Sequence, residues 1–395
     1  MSRLLSLEIH QLRLPFRVKF SHAAAERSAT DAIVVAAVLA DGTIGYGEGL
    51  PREYVTGETA ESVLREIPGT LAPRLRNLAP RNFPELLEIA DNLPHRNHAG
   101  AVINTARCAV ELALLDAYSR HFHTPLSQII GWLGVGVFSS LDVHPIRVSG
   151  VLDAAAPERL ARRYRLMRLG GLEDFKVKMG TQRDEETLDF LNRKLRKPLA
   201  AGRITLRADA NGAWDIDTAL AMSEKLAELD AFCLEEPLAR NDQAHWRTLA
   251  DLSKVPIMAD ESLLTLENGK YLAENDLVDF FNIRISKNGG LIPAIRLAEL
   301  AIRYHRGYQL GAMVGESGIL AAAGWHFLQM VPAVCFTEIG YGTFLLRQDL
   351  ARPQVRFGWR GRLPQLHGPG LGVEVLPRRL AEFSLAAPIK IPLAE

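Results

Sequence analysis

The sequence predicts an α/β fold, namely a closed (β/α)8 barrel of the TIM type preceded by a smaller α+β domain. The chain has 395 residues, which exceeds one ordinary domain and suits a barrel plus a second unit. From residue 143 onward, short apolar segments alternate with amphipathic ones every 25–30 residues or so. Eight such repeats are typical of a barrel with buried parallel strands. The structural alternative, a doubly wound open sheet, rarely contains eight uninterrupted units.

Residues 1–135 are predicted to form the α+β domain. Leu5–Phe16 alternates apolar and polar residues, as a strand with one buried face does. Two further strand patterns flank Asp41-Gly42, which is a turn signal of β-hairpins. Three helical patterns follow, at Thr59–Leu75, Pro84–Leu93 and Asn104–His121.

Residues 136–350 are predicted to form the barrel. The segments interpreted as its strands are Val143–Val148, Phe175–Met179, Ile204–Ala208, Phe232–Leu234, Ile257–Ala259, Phe280–Ile285, Gln309–Val314 and Val334–Glu338. Residues 351–395 are rich in Pro, Gly and Arg and show little periodicity, so we expect this tail to fold back on the first domain.

Composition excludes several functional classes. Lys+Arg and Asp+Glu both number 46, whereas a nucleic-acid-binding protein needs a basic excess on one face. No signal peptide or membrane-length apolar run is present, so we expect a cytoplasmic protein without nucleic-acid or membrane partners. The three cysteines, Cys108, Cys233 and Cys335, lack metal-site spacing and are interpreted as small core residues.

Three acids follow consecutive predicted strands, which places them at one rim of the barrel. Asp209, Glu235 and Asp260 are separated by nearly equal lengths of chain. Converging carboxylates repel each other unless a cation lies between them. Oxygen ligands favour a hard cation, so Mg²⁺ is predicted here, with Mn²⁺ as a substitute. The alternative is that each acid caps a helix or pairs with a neighbouring Lys or Arg.

Two lysines flank this cluster from opposite sides of the barrel mouth. Lys178 ends the second predicted strand and Lys287 the sixth, four strands away around the ring. Lysine acts as a base near neutral pH only when its pKa is lowered from about 10.4. Lys176 lies two residues before Lys178 and therefore on the same inward face, where it can contact a substrate carboxylate.

These motifs together closely resemble the enolase superfamily, and more narrowly its muconate lactonizing enzyme subgroup. The resemblance covers nearly the whole chain and implies that residues 1–135 cap the barrel. It also implies that Asp209, Glu235 and Asp260 bind Mg²⁺, that Lys178 and Lys287 are the acid/base pair, and that Lys176 acts electrostatically. The motifs that carry it are Lys176-Val177-Lys178, Asp209-Ala210-Asn211-Gly212-Ala213-Trp214, Leu234-Glu235-Glu236-Pro237, Ala259-Asp260-Glu261-Ser262 and Lys287-Asn288-Gly289-Gly290.

The elementary step implied by the resemblance is abstraction of the α-proton of a carboxylate to give an enediolate. Racemisation or epimerisation of an amino acid derivative and cycloisomerisation both follow from it. Dehydration of the o-succinylbenzoate synthase type or the sugar-acid type is the alternative. The sixth and seventh strands lack the His-Asp pair of mandelate racemase. Thr337-Glu338-Ile339-Gly340 has one acid where dipeptide epimerases carry two.

Further candidates for contacts with the substrate or with catalytic groups are Asn211, Glu316, Glu338, Arg27 and Arg52. Specificity is expected in the segments Phe20–Arg27 and Pro51–Thr56, where Arg27 or Arg52 would meet a second carboxylate or an N-acyl group, unless both are surface residues. We expect a small-molecule carboxylate substrate and a homo-oligomer. The rival classes are a Schiff-base aldolase, which needs no converging carboxylates, and a non-catalytic barrel.

Overall fold

The first part of the chain forms an antiparallel sheet whose outer strand comes from the other end of the molecule. Its strands are β1 (Leu4–His22), β2 (Ala25–Leu39), β3 (Ile44–Gly49) and β13 (Ile389–Pro392), in the order β13-β1-β2-β3. The computed structural model describes residues 2–22, 25–136, 138, 148–153, 156–240 and 242–394. At the β2–β3 hairpin, the Asp41 side chain accepts a hydrogen bond from the Thr43 amide, and Gly42 has a φ of 86°.

Helices follow the first three strands. They are α1 (Glu53–Thr56), α2 (Ala60–Glu66), α3 (Phe83–Asp91), α4 (Asn104–His121) and α5 (Ile129–Leu133). Of these, α4 packs directly against the sheet. The helix predicted at Thr59–Leu75 is regular only in α2 and continues as a π-helical turn and a 3₁₀ turn. Pro68 and Pro73 explain the change, because each lacks the amide hydrogen that the α-helical ladder requires.

Helix α4 packs very closely on β3. The approach depends on Gly45, Gly47 and Gly49, which face the helix at alternate positions of the strand. A Cβ atom on Gly45 would lie 2.0 Å from the Ala117 nitrogen, and one on Gly47 would lie 2.1 Å from the Ala109 oxygen. Only glycine permits this contact, so the three glycines fix α4 against the sheet.

The second part of the chain is a curled sheet of parallel strands surrounded by helices. The strands are β4 (Gly150–Leu152), β5 (Asp174–Lys178), β6 (Thr205–Asp209), β7 (Cys233–Glu235), β8 (Ile257–Ala259), β9 (Phe280–Ile283) and β10 (Gly307–Leu310). The helices are α6 (Pro157–Leu169), α7 (Asp184–Lys194), α8 (Arg196–Ala200), α9 (Ile216–Ala227), α10 (Gln243–Leu252), α11 (Leu266–Glu274), α12 (Leu291–Arg303), α13 (Gly318–Met330) and α14 (Gly342–Leu345).

Thr337 closes the barrel between β10 and β4. It forms parallel bridges with Leu310 on one side and Val148 on the other. The Ser149 amide donates to the Thr337 carbonyl at 2.8 Å, which completes the ring. The segment predicted as the strand Val334–Glu338 forms no regular strand beyond these bridges, but backbone hydrogen bonds also join its Cys335, Phe336 and Glu338 to β10. The strand predicted at Val143–Val148 lies outside the described residues except for Val148, and the first barrel strand described is β4.

The C-terminal segment contains β11 (Ala351–Arg352), β12 (Glu374–Val375), α15 (Pro377–Phe383) and β13. Strand β13 pairs antiparallel with β1, so that Ile391 lies opposite Leu7. Cys108 and Cys233 are buried, whereas Cys335 is exposed. The core position predicted for Cys335 is therefore wrong. Its amide pairs with the Tyr308 carbonyl at 3.0 Å, but its side chain stays exposed, whereas that of the next residue, Phe336, is buried. Among the helices in the described ranges, none is long and apolar enough to cross a membrane.

Candidate active site

The three predicted acids lie side by side at the carboxyl ends of the barrel strands. Asp209 ends β6, Glu235 ends β7, and Asp260 follows β8, and all three are fully buried. Asp209 and Glu235 are directly opposite each other in the parallel register. Because the carboxyl ends of parallel strands form one rim of the barrel, this order brings the carboxylates into one cluster.

Lys176 contacts two of these acids, Asp209 and Glu235, and also Glu338. Its Nζ is 3.3 Å from Asp209 Oδ2, 3.3 Å from Glu235 Oε1 and 2.8 Å from Glu338 Oε2. Burial alone would lower the pKa of Lys176, but the carboxylates of Glu235, Glu338 and Asp209 raise it above its usual value. Lys176 is therefore held as a cation in the barrel interior.

Lys178 approaches the cluster from the side of β5. Its Nζ is 2.5 Å from Asp209 Oδ2 and donates to Asn211 Oδ1 at 3.0 Å. Asn211 also donates through Nδ2 to Glu261 Oε1 at 3.2 Å, so its side-chain oxygen stays turned toward the lysine. The Lys178 side chain keeps 11% of its surface exposed, which leaves it accessible from the barrel mouth.

Lys287 approaches from the opposite flank and is fully buried. Its Nζ donates to Asp260 Oδ1 at 2.8 Å, to the Asp260 carbonyl at 2.6 Å and to the Asn282 carbonyl at 2.7 Å. Burial lowers the pKa of Lys287 well below its usual value, and the nearby charge of Arg284 lowers it further. The two lysines thus contact the two outer acids, with Glu235 between them.

Sequence reasoning missed three polar residues that surround Glu235. Asn282 Nδ2 donates to Glu235 Oε1 at 2.7 Å, and Gln309 Nε2 donates to Glu235 Oε2 at 3.4 Å. Arg284 Nη2 is 3.8 Å from Glu235 Oε1 and also forms an ion pair with Asp260 Oδ2. The signal was present, because Asn282 and Arg284 are alternate polar residues in an apolar strand segment and therefore share its inward face.

The donor set suits a hard divalent cation, since it consists of three buried carboxylates with oxygen atoms only. Asp260 Oδ2 is buried without a hydrogen bond, although Arg284 forms an ion pair with it. Within the described ranges, however, no three acidic, histidine or cysteine side chains are arranged closely enough to enclose a metal. Instead Lys176 bridges Asp209 and Glu235, and Arg284 bridges Glu235 and Asp260. The residues present fit Mg²⁺ by chemistry and charge.

Glu338 belongs to this network from the closing side of the barrel. Its Oε2 pairs with Lys176, and its Oε1 is 3.1 Å from Arg207 Nη2. The Arg207 guanidinium in turn lies over the Phe336 ring, 4.0 Å from its centroid. Burial opposes ionisation of Glu338, but Lys176 and Arg207 lower its pKa below the usual value. Both oxygens of this carboxylate are therefore held by protein cations.

The remaining predicted contacts lie outside the cluster of acids and lysines. Glu316 is buried, accepts a hydrogen bond from the Met313 amide at 2.6 Å, and has its pKa raised to about 8 by burial.

Arg52 is also buried and donates hydrogen bonds to the carbonyls of Asp31 at 3.1 Å, Pro51 at 2.6 Å and Val314 at 2.8 Å. Arg52 therefore joins the first domain to the end of the seventh barrel strand. Its interpretation as a surface residue is wrong because it is buried, whereas its contact with a substrate stays a prediction.

The Arg27 guanidinium lies 5.6 Å from the centroid of the Tyr54 ring. Neither Arg27 nor Arg52 lines the cavity at the barrel mouth. In the specificity segment Phe20–Arg27, residues 23 and 24 lie outside the described residues, as do the side chains of residues 19–26.

A cavity of about 340 Å³ opens beside Lys176 and Lys178. Lys176, Lys178, Arg284 and Glu338 line its polar end. A carboxylate can enter here because cationic side chains dominate this end, and Glu338, the only acid among the described residues there, is already paired. The arrangement can therefore bind an anionic group and present its neighbouring carbon to Lys178.

Comparison with known proteins gives matches along nearly the whole chain. Residues 8–131 match the model of the mandelate racemase/muconate lactonizing enzyme N-terminal domain, and residues 158–379 match that of the enolase C-terminal domain-like family. The chain is 27% identical over 394 residues to N-succinyl-L-Arg/Lys racemase of Bacillus cereus, covering 97% of this chain and 98% of that protein. It is 30% identical to L-Lys-D/L-Arg epimerase of Methylococcus capsulatus, covering 92% and 95%. It is 29% identical to chloromuconate cycloisomerase of Pseudomonas putida, covering 88% and 90%.

Solved structures give the same result for the fold. The crystal structure of N-succinyl Arg/Lys racemase from Bacillus cereus superimposes with a TM-score of 0.84 at 25% identity, covering 98% of this chain and all of that one. Muconate lactonizing enzyme from Pseudomonas putida gives a TM-score of 0.80 at 24% identity, covering 96% and 99%. The predicted fold, a (β/α)8 barrel with an N-terminal α+β domain, is confirmed.

Proposed function

The chain belongs to the mandelate racemase/muconate lactonizing enzyme family of the enolase superfamily, and we propose that it racemises or epimerises an amino acid derivative. The relatives named above are a racemase, an epimerase and a cycloisomerase, and the chain is an isomerase. One observation supports the proposal most directly. Lys178 and Lys287 contact the two outer acids of the cluster, Asp209 and Asp260, from opposite flanks.

In the proposed mechanism, the substrate carboxylate binds at the cationic end of the cavity, near Lys176 and Arg284. Lys178 in its amine form accepts the proton of the α-carbon on one face. Lys287 in its ammonium form donates a proton to the other face, and the roles reverse for the opposite enantiomer. Positive charge fixed in a buried site stabilises the anion that forms between the two transfers.

We also propose that Asp209, Glu235 and Asp260 hold Mg²⁺, with Mn²⁺ as a substitute. When bound, the cation would stabilise negative charge that develops on the substrate carboxylate. The bridging side chains Lys176 and Arg284 support this proposal, since they show that the cluster already needs positive charge between its carboxylates.

Deuterium exchange at the α-carbon tests the two-lysine proposal. N-Succinyl and N-acetyl amino acids of both configurations are incubated in D₂O with Mg²⁺, and the α-proton signal is followed by nuclear magnetic resonance. We expect exchange, its loss with EDTA, and its recovery with Mg²⁺ or Mn²⁺. Lys178→Ala and Lys287→Gln should each lose exchange from one enantiomer by about 10²-fold or more, as expected for removal of a general base.

Lys225→Ala is the matched control, because Lys225 is an exposed lysine on α9 that pairs with Glu185. It should exchange both enantiomers like the unmodified protein. The proposal is contradicted if either lysine variant keeps full exchange of both enantiomers while its circular dichroism is unchanged.

Cycloisomerisation is the second candidate, favoured by the similarity to chloromuconate cycloisomerase at 29% identity over 354 residues. It starts from the same carboxylate chemistry and needs a proton transfer on one face only. Including muconate in the same experiment separates the two, since its lactone product would form without exchange of any amino acid derivative. Dehydration would instead release an unsaturated acid.

A further inference from the structure

The part of the lining that the structure describes in the cavity beside Lys176 and Lys178 holds few acidic groups, and all of these are paired. Among its described lining residues, only Glu338 and Asp153 carry carboxylates. Glu338 is held by Lys176 at 2.8 Å and by Arg207 at 3.1 Å. Asp153 also lines the cavity and forms an ion pair with Arg163 of α6. No described lining carboxylate is left to receive a cationic group of the substrate.

This arrangement disfavours two kinds of charge on the substrate. A free α-ammonium group would lie near Lys176, Lys178 and Arg284, which repel it. A guanidinium or ammonium group on the substrate side chain would lose hydration in the cavity without gaining an unpaired acid from the lining residues that the structure describes. Burying an unpaired charge is strongly unfavourable, so both groups weaken binding.

The walls of the cavity favour apolar groups instead. Leu166 and Phe344 line it, although 59% and 37% of their respective surfaces are exposed. Val18, with 62% exposed, lies on the same cavity and comes from the first domain. Exposed apolar side chains gathered around one cavity are a frequent mark of a ligand surface. An apolar substituent of the substrate would cover all three.

We propose that the substrate is an N-acylated α-amino acid with an apolar side chain, and that the Asp153–Arg163 ion pair excludes cationic side chains. This inference rests on the proposed racemisation. The acyl group removes the charge of the nitrogen, the carboxylate faces the lysines, and the side chain packs against Leu166 and Phe344. Arg163 acts as a specificity-determining residue because it neutralises Asp153, which would otherwise attract a cationic side chain.

A comparison of three compounds, two with the same acyl group and one without, tests this proposal. N-Acetyl-L-leucine, N-acetyl-L-arginine and free L-leucine are compared by α-deuterium exchange. We expect kcat/KM for N-acetyl-L-leucine to exceed that for each of the other two by tenfold or more, an order-of-magnitude expectation for one unpaired charge. Arg163→Ala should raise kcat/KM for N-acetyl-L-arginine about tenfold, because Asp153 becomes free. The leucine derivative should change little.

Two variants separate charge pairing from simple loss of a repulsive arginine. The double variant Asp153→Asn/Arg163→Ala should lose the gain for N-acetyl-L-arginine, since no carboxylate is released. Arg162→Ala removes the exposed arginine next in the chain and should leave the preference unchanged. The inference, but not the proposed function, is overturned by either of two results. One is equal exchange of the leucine and arginine derivatives by the unmodified protein, and the other is a gain in kcat/KM for N-acetyl-L-arginine that survives in the double variant. No exchange from any derivative overturns the proposed function and this inference with it.

Discussion

Glu236 shows how a single residue outside the cluster can hold one of its acids. It follows Glu235 directly but points away from the barrel interior, with a φ of 37°. Its Oε2 accepts a hydrogen bond from the Asp260 amide at 2.7 Å, and its Oε1 accepts one from the Ser262 hydroxyl at 2.5 Å. Glu236 is therefore a positioning residue for the backbone that carries Asp260.

We predict that Glu236→Ala weakens Mg²⁺ binding. Loss of a group that orients a metal ligand typically costs 10–100-fold in metal affinity, and the same range, roughly, is expected here. The measurement is the Mg²⁺ concentration that gives half-maximal exchange, supported by calorimetric titration. Glu236→Gln keeps an acceptor oxygen and should lose less. An unchanged half-maximal concentration in Glu236→Ala would contradict the positioning role.

At the scale of residues, the sequence predicted the strand and the face on which a residue lies better than it predicted the residues that it contacts. Alternation along a strand predicted that Glu235 and Glu236 face opposite sides, and equal strand spacing predicted that the three acids share one rim. The ion pair of Asp153 with Arg163 could not be predicted, because it depends on how α6 returns across the end of β4. The burial of Arg52 was missed for a similar reason, since its acceptors include the distant carbonyl of Val314.

At the scale of elements, α4 of the first domain holds the turn that carries Lys287. Asn104 Nδ2 donates to the Lys287 carbonyl at 2.8 Å, and Arg107 Nη1 donates to the Gly289 carbonyl at 2.6 Å. Glu111 accepts from the Ile292 amide at 3.0 Å. A Cβ on Gly290 would lie 2.3 Å from Glu111, so glycine is required there. The first domain thus acts on the catalytic turn through buried polar groups.

We predict that Asn104→Ala slows exchange on one face of the substrate only. The turn that carries Lys287 would lose its anchor, whereas Lys178 is held by Asp209 and Asn211 in the barrel. Exchange of the enantiomer that depends on Lys287 should fall about 10-fold or more, the scale expected when a catalytic group is slightly misplaced. Deuterium exchange of the two separate enantiomers measures this.

Cys108→Ala is the control for Asn104→Ala, because Cys108 is buried in the next turn of α4 and donates only to the Glu48 carbonyl. It should leave the ratio of the two exchange rates unchanged. If Asn104→Ala slows both enantiomers equally, Asn104 serves general stability rather than the position of Lys287.

Local periodicity predicted α4 accurately but not this role. The predicted helix, Asn104–His121, has the bounds that the structure shows. Lys287, which is one of its partners in the catalytic turn, follows Asn104 by 183 residues along the chain. A sequence pattern reports which residues share a helix face, whereas the element that will cover that face is decided by the packing of the whole chain. For the same reason β13 was not predicted, since four mostly exposed residues carry little periodic signal.

At the scale of the whole molecule, the C-terminal segment joins the two ends of the chain. Strand β13 pairs with β1 from Ser6 to Ile9, and the Leu393 amide donates to the Leu5 carbonyl at 2.9 Å. The Leu393 carbonyl accepts a hydrogen bond from the Asn77 amide at 2.9 Å. Leu393 is only 4% exposed. The last strand therefore covers an edge of the first domain, although most of the intervening chain forms the barrel.

We predict that deleting residues 389–395 destabilises the first domain. The edge of β1 would lose its backbone partners, and the pocket filled by Leu393 would open. Full burial of a leucine side chain contributes about 1.5–3 kcal/mol, so Leu393→Ala alone should cost about 2–3 kcal/mol. Lys390→Ala is the control, because its ion pair with Glu8 is largely exposed and contributes less than about 1 kcal/mol.

Chemical denaturation measures the free energies of unfolding, and hydrogen exchange locates the part of the structure that loses stability. Faster exchange should begin in β1 and the neighbouring β2, because an uncovered edge strand frays before the strands inside the sheet. A deletion variant with unchanged stability and unchanged protection in β1 would show that the first domain holds its sheet without the C-terminal strand.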